Sequence, residues 1–311
     1  MRKIDFLFVS ILAIALVGCN AYSANNESTE IAPADNKTFS AYWYQGKAEL
    51  SRYELEQVRY GEIHNGNAVM VFVTEDFRTD LQVKLESGAR DKATPILKLN
   101  LLKKFPTGIY DYSMMTSVFQ PLDQEAYPHA LKVSTSSQEW CGQTFTQLNL
   151  RDDNYVLSGY SYFESEGDQD IQLSATWLED EFWTMIRTAP ENLPEGELKV
   201  IPGTQFSRLK HVPFRVETAQ CSVSDFKDSG YPGEKLKVFK VNYPTLKREL
   251  SIVFESEFPH RIAGWEDRHS SGWGAGAKML TTKAVRTHEI MEPYWSQNSN
   301  SDSGKRKELG L

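Results

Sequence analysis

The six histidines, His64, His129, His211, His260, His269 and His288, are the first residues to question for a metal site, and their spacing offers none. No two stand at i, i+2 or i, i+4. His288-Glu289-Ile290-Met291-Glu292 starts like a zinc-protease helix, but the second histidine is missing and Pro293 would end the helix there. Nucleophile motifs are equally incomplete. Gly159-Tyr160-Ser161-Tyr162-Phe163 lacks the second glycine of a nucleophile elbow and falls inside an expected strand. His269-Ser270-Ser271 places a hydroxyl beside a histidine, which is not the geometry of a triad. The stretch Gly272 to Lys278 has glycines and a lysine, but Met279 stands where a phosphate loop needs Ser or Thr. Carboxylates are numerous and no spacing selects a glycosidase pair. The expectation is therefore no catalytic residue, no metal and no cofactor.

One thiol does stand in a chemically meaningful place. Met1-Arg2-Lys3 is a basic start, Phe6 to Val17 is an apolar stretch, and Leu16-Val17-Gly18-Cys19 follows. The apolar stretch is too short to span about 30 Å of hydrocarbon and has signal-peptide length. Leu16, Val17, Gly18 and Cys19 resemble the processing box of bacterial lipoproteins. That resemblance implies diacylglyceryl transfer to the Cys19 thiol, cleavage of residues 1–18, and acylation of the new amino group. Asn20 replaces the Asp that would retain the protein at the inner membrane under the enteric sorting rule. The expected location is thus the periplasmic face of the outer membrane, with the membrane reached through the Cys19 lipid.

In an oxidising compartment the other two cysteines, Cys141 and Cys221, are expected to form one disulfide. It would close a loop of about 80 residues and contribute about 4 kcal/mol in the chain-entropy model. Two separate free thiols are the alternative.

Composition sets the wider bounds. The 311 residues are 40% hydrophobic, with 34 Lys+Arg against 42 Asp+Glu, so a disordered chain is excluded and a general nucleic-acid partner is disfavoured. Residues 19–38 are small, polar and without period, which reads as a flexible tether. Residues 39–295 carry short alternating segments punctuated by Gly, Pro, Asn and Asp, the pattern of consecutive antiparallel strands. Asn65-Gly66 is the clearest hairpin signal, since Asn-Gly favours the type I′ turn. Thr176 to Thr188 breaks the rhythm with helical spacing, acids at its start, Arg187 at its end and Pro190 beyond. Strands resume afterwards, Gln205 to Leu209 among them, and residues 296–311 read as a polar tail, loosely ordered or a short surface helix. The predicted fold is mainly β: a large antiparallel sheet, either a half-barrel or two sub-sheets, with one or two helices. The aromatics mostly belong to the alternating core. Tyr231, Trp265, Trp273 and Trp295 lie in or beside predicted loops and are the candidates for a ligand surface.

Tyr42 to Glu49, Glu139-Trp140-Cys141-Gly142-Gln143 and Leu309-Gly310-Leu311 resemble a group of uncharacterised bacterial secreted and lipid-anchored proteins often labelled septum formation inhibitor Maf. The label does not suit the chain. Genuine Maf proteins are cytoplasmic nucleotide pyrophosphatases with a Ser-x-Ser-Pro-Arg-Arg segment, and no Pro-Arg pair occurs here. The hairpin Leu250 to Phe254 and Phe258 to Ile262 is similar to a strand, Pro turn, strand unit of lipoprotein-carrier half-barrels. That resemblance implies a curved sheet around acyl chains. The expected function is a non-enzymatic outer-membrane lipoprotein binding a lipid or other apolar ligand in a curved sheet. An assembly partner for another envelope protein and an envelope glycan or ester hydrolase are the alternatives.

Overall fold

A computed structural model describes residues 35–311 of the chain. Cys19, the processing residues Leu16, Val17 and Gly18, and most of the expected tether lie outside the described residues. The described chain opens with helix α1 (Asn36–Trp43), whose first turn is capped by the Asp35 carboxylate accepting from the Lys37 and Thr38 amides. Strands follow as β1 (Ala48–Arg59), β2 (Glu62–Arg78), β3 (Val83–Lys84), β4 (Ala93–Thr107), β5 (Tyr110–Pro121), β6 (Lys132–Glu139), β7 (Gly142–Arg151), β8 (Asn154–Ser161), β9 (Gln169–Ser174) and β10 (Trp177–Leu178). Helix α2 (Glu179–Thr188), β11 (Gly196–Ile201) and helix α3 (Thr204–Lys210) come next. The chain ends with β12 (Glu217–Asp225), β13 (Leu236–Tyr243), β14 (Arg248–Glu255), β15 (Ile262–Ser271), β16 (Lys278–Glu292) and helix α4 (Gly304–Glu308).

All sixteen described strands join one sheet, so the fold is a single large sheet and not two sub-sheets. The path runs β10 to β16 in chain order, continues through β1, β2 and β4, and ends at β9, with β3 paired to β2. Every pairing is antiparallel except the short β10–β11 contact. Two meanders are thereby united where β1 pairs with β16. The sheet is open, with β9 and β10 as its edges.

The sheet curls around α2. Every residue of that helix except Thr188 is buried. Phe182 meets Phe239 of β13 at 5.0 Å between ring centres, and Trp183 meets Trp265 of β15 at 5.4 Å, both edge-on. Buried ion pairs fix both ends of the helix. Arg187 at its C-terminal end reaches both Glu49 oxygens of β1 at 2.5 Å and donates to the Pro259 carbonyl. Glu179 at its N-terminal end meets Arg248 of β14, which is also bidentate to Asp267 of β15 at 2.8 and 2.9 Å. The helix expected over 176–188 is present, and the concave face it covers is packed core.

Several local expectations change. Asn65-Gly66 lies within β2, and the β1–β2 turn is at Tyr60-Gly61, where both residues have positive φ, 55° and 80°. Gly66 is small for another reason: a Cβ there would fall 2.3 Å from the Lys104 carbonyl oxygen of β4. Residues 205–209 are helix α3, not a strand. Four described helices replace the expected one or two. Residues 296–311 carry the short surface helix α4, one of the two alternatives expected, and are also docked: Leu309 is buried with Ala48, Leu50, Val71 and Val73, and Lys305 pairs with Glu292 at 2.7 Å.

Candidate functional site

Residues of β1 alternate between two faces, and Glu49 and Arg59 share the inner one. Ten residues apart, they sit roughly 33 Å from each other along the strand. Glu49 meets Arg187. Arg59, at the end where the hairpins β1–β2, β4–β5, β6–β7 and β15–β16 turn, opens into a cleft.

Arg59 is only 8% exposed, yet among the described residues no carboxylate pairs with it. It donates to the Leu209 carbonyl, to the Tyr112 hydroxyl from Nη2 at 3.1 Å, and to the Tyr60 hydroxyl at 3.2 Å. Its guanidinium carbon lies 4.2 Å from the Tyr60 ring centre. Helix α3 brings three further groups. Arg208, 6% exposed, donates from Nε to Thr144 at 3.1 Å and lies 4.4 Å from the Phe163 ring centre. Its nearest carboxylates, Glu139 and Glu166, stand off at 3.7 and 3.9 Å, and its buried Nη2 has no hydrogen-bond partner. Lys210 donates only to the Ser270 carbonyl, at 2.6 Å. His211 ends α3 in the left-handed conformation, φ 51°, which turns its ring back over the cleft.

Electrostatics follow from that arrangement. Burial pulls the Arg208 guanidinium below its ordinary range despite Glu166. Burial, aided by the charge of Arg59, does the same to Lys210. Burial pushes the Glu166 carboxyl up, but hydrogen bonds from His211 and Ser161 and the charge of Arg208 outweigh it and hold the group low. Glu139 accepts from the Cys141 amide at 2.6 Å. Three cations thus face two carboxylates that are already engaged, leaving one positive charge in excess.

Two solvent-open cavities meet here. One, of about 780 Å³, is lined by Arg59, Tyr60, Cys141, Phe163, Lys210 and Trp273 among others. The second, of about 670 Å³, lies beside Thr144, Tyr160, Glu166, Arg208 and Phe214. His211 borders both. The arrangement suits recognition of an anion better than acyl transfer. Ser161 and His211 converge on the cleft, but each bonds the same carboxylate, Glu166, Ser161 at 2.7 Å, so no serine to histidine relay exists.

Of the four aromatic candidates only Trp273 lines this cleft. Trp265 is 1% exposed within β15, where it lines a small interior cavity with Lys103, Asp180 and Arg248, and Tyr231 is buried against Gly264, so neither ring lies on the outer surface. Trp295 is exposed beyond β16, next to Tyr294. Cys141 and Cys221 are both free, which corrects the expected disulfide. Cys141 is exposed at the β6–β7 tip, whereas Cys221 is a core residue of β12, where burial pushes its thiol up to about 12. Among the described residues no His, Cys, Asp and Glu side chains gather as a metal site. The residues missed by sequence reasoning are Arg59, Arg208, Lys210 and His211.

No family model matches the sequence, and no curated protein matches it. A solved structure is similar: a β-barrel-like protein of a domain of unknown function, DUF1849, from Brucella abortus. It is 8% identical, with 79% of this chain and 97% of that chain covered at a TM-score of 0.37. A likeness at that distance says nothing of ligand or activity.

Proposed function

We propose that the chain is a non-enzymatic binding protein of the bacterial envelope, held at the outer membrane by lipid on Cys19, whose mouth cleft takes an anionic group. The observation that carries this reading is the pair of buried guanidiniums, Arg59 without a carboxylate partner and Arg208 with an unbonded Nη2, each lining one of two solvent-open cavities that share His211. A buried charge without a close partner costs several kcal/mol, which an arriving carboxylate or phosphate offsets. The concave face of the sheet is occupied by α2, so an apolar ligand lying in a bare trough is replaced here by a ligand at the mouth.

Isothermal titration of phosphate and of acetate into the mature chain tests the cleft. Saturable binding that weakens at least about tenfold in Arg59→Gln supports it; absence of binding by either anion removes it. The anchor rests on Leu16-Val17-Gly18-Cys19. Cys19→Ser should abolish labelling by a fatty-acid analogue and release the protein from the membrane fraction, and unchanged labelling would refute it.

A further inference from the structure

The mouth has a second property that a simple anion does not need. Of the large apolar side chains, the four more than 70% exposed are Ile109, Trp140, Tyr162 and Trp273, and all four lie on hairpin tips at this end. At the opposite end the most exposed is Leu81, at 56%. Ile109 tops the β4–β5 turn, Trp140 the β6–β7 turn, Tyr162 the loop after β8, and Trp273 the β15–β16 loop. Antiparallel pairing puts these tips at one end of the strands. The β1–β2 and β15–β16 tips touch, since a Cβ on Gly61 would lie 3.6 Å from the Gly272 Cα.

The apolar rim is continuous with the cationic floor. The Arg59 guanidinium sits on the Tyr60 ring at 4.2 Å, and the Tyr60 ring stacks on Trp273 at 5.5 Å with planes 24° apart. Trp273 is 75% exposed. Across the cleft, Arg208 sits on Phe163, whose ring is 5.7 Å from that of Tyr162. Both walls therefore lead from a buried guanidinium through an aromatic ring to a solvent-exposed one. Clustered exposed rings cost hydration free energy and mark a surface that is covered in use.

We propose that the ligand of this cleft is a monomeric anionic amphiphile, its carboxylate or phosphate seated between Arg59, Arg208 and Lys210 and its alkyl chain lying along the Tyr60–Trp273 wall toward the rim. This rests on the anion-binding reading above and extends it from the head of the ligand to the tail. The other charged and titratable groups bordering the floor, Glu139, Glu166, His211 and His269, are bonded to protein partners, and neither carboxylate pairs with Arg59.

The test compares acetate, octanoate and uncharged 1-octanol, all as monomers, by calorimetric titration into the chain from Asn20 onward. That chain holds all sixteen strands and four helices, which lie within residues 35–311. Octanoate is expected to bind about tenfold or more tightly than acetate, because part of its six extra methylenes is removed from water, and more tightly than 1-octanol. Trp273→Ser, at an exposed position, is expected to remove most of the gain of octanoate over acetate. Octanoate binding no tighter than acetate overturns the amphiphile while the anion site stands. Binding of 1-octanol as tight as octanoate overturns the seated head group, and binding of neither acid overturns both readings.

Discussion

The two ends of the inner face of β1 handle buried charge in opposite ways. At one end Glu49 and Arg187 neutralise each other through two hydrogen bonds. The matched partners hold the Arg187 guanidinium above its ordinary range although burial opposes it. At the other end Arg59 and Arg208 are buried to a similar degree without such partners, and burial wins at Arg208. Matched charge locks α2 into the sheet, and unmatched charge is what the proposed anion would neutralise. Burial alone therefore does not separate the two kinds of arginine; the presence of a bidentate carboxylate does.

The largest test of this contrast is Glu49→Ala, which strands Arg187 in the core and is expected to lower unfolding free energy by about 3–5 kcal/mol in a urea titration. At the mouth the equivalent manoeuvre runs the other way. Octanoate at about 100 times its dissociation constant should raise the unfolding free energy of the unmodified chain by about 2.7 kcal/mol and leave Glu49→Ala with the same increment. In Arg59→Gln the increment should shrink toward zero, and a full increment there would erase the distinction between the two ends. A subtler effect belongs to Asp180, beside Glu179. Burial pushes its carboxyl up to about 7. Its contribution to stability is then complete below about pH 4 and lost as pH rises through about 7. Asp180→Asn should flatten that part of a melting-temperature profile. Smallest of all, Trp273→Ser should change stability by less than about 0.5 kcal/mol, because the side chain is exposed.

Much of the fold was legible because strand alternation and helix period are local. β4, β5, β8, β13 and β14 and helix α2 follow from their patterns, and acids at 179–181 with Arg187 mark the helix direction. Asn65-Gly66 misled because two physical demands call for glycine. One is a positive φ in a turn, which Gly61 meets, and the other is close backbone approach, which Gly66 meets against Lys104. Trp265 and Tyr231 lie in or beside the predicted loops, but sequence position does not say which way a side chain points, and both fold inward. The mouth cleft was illegible for a different reason. Arg59 belongs to β1, Arg208, Lys210 and His211 to α3, and Trp273 to the β15–β16 loop. A missing counter-ion is a relation between distant segments that no short window displays.

The pairing of β1 with β16 carries a consequence in time. β1 lies in mid-sheet, yet one of its two neighbours is the last strand described, and Ser51 opposite Glu289 are 238 residues apart. While the chain emerges, β1 and β2 can pair at once, but the other edge of β1 has no mate until β16 arrives. Such late closure predicts slow folding and an exposed, adhesive strand edge during synthesis. A chain truncated before β16 should therefore aggregate, although most of its strands are present.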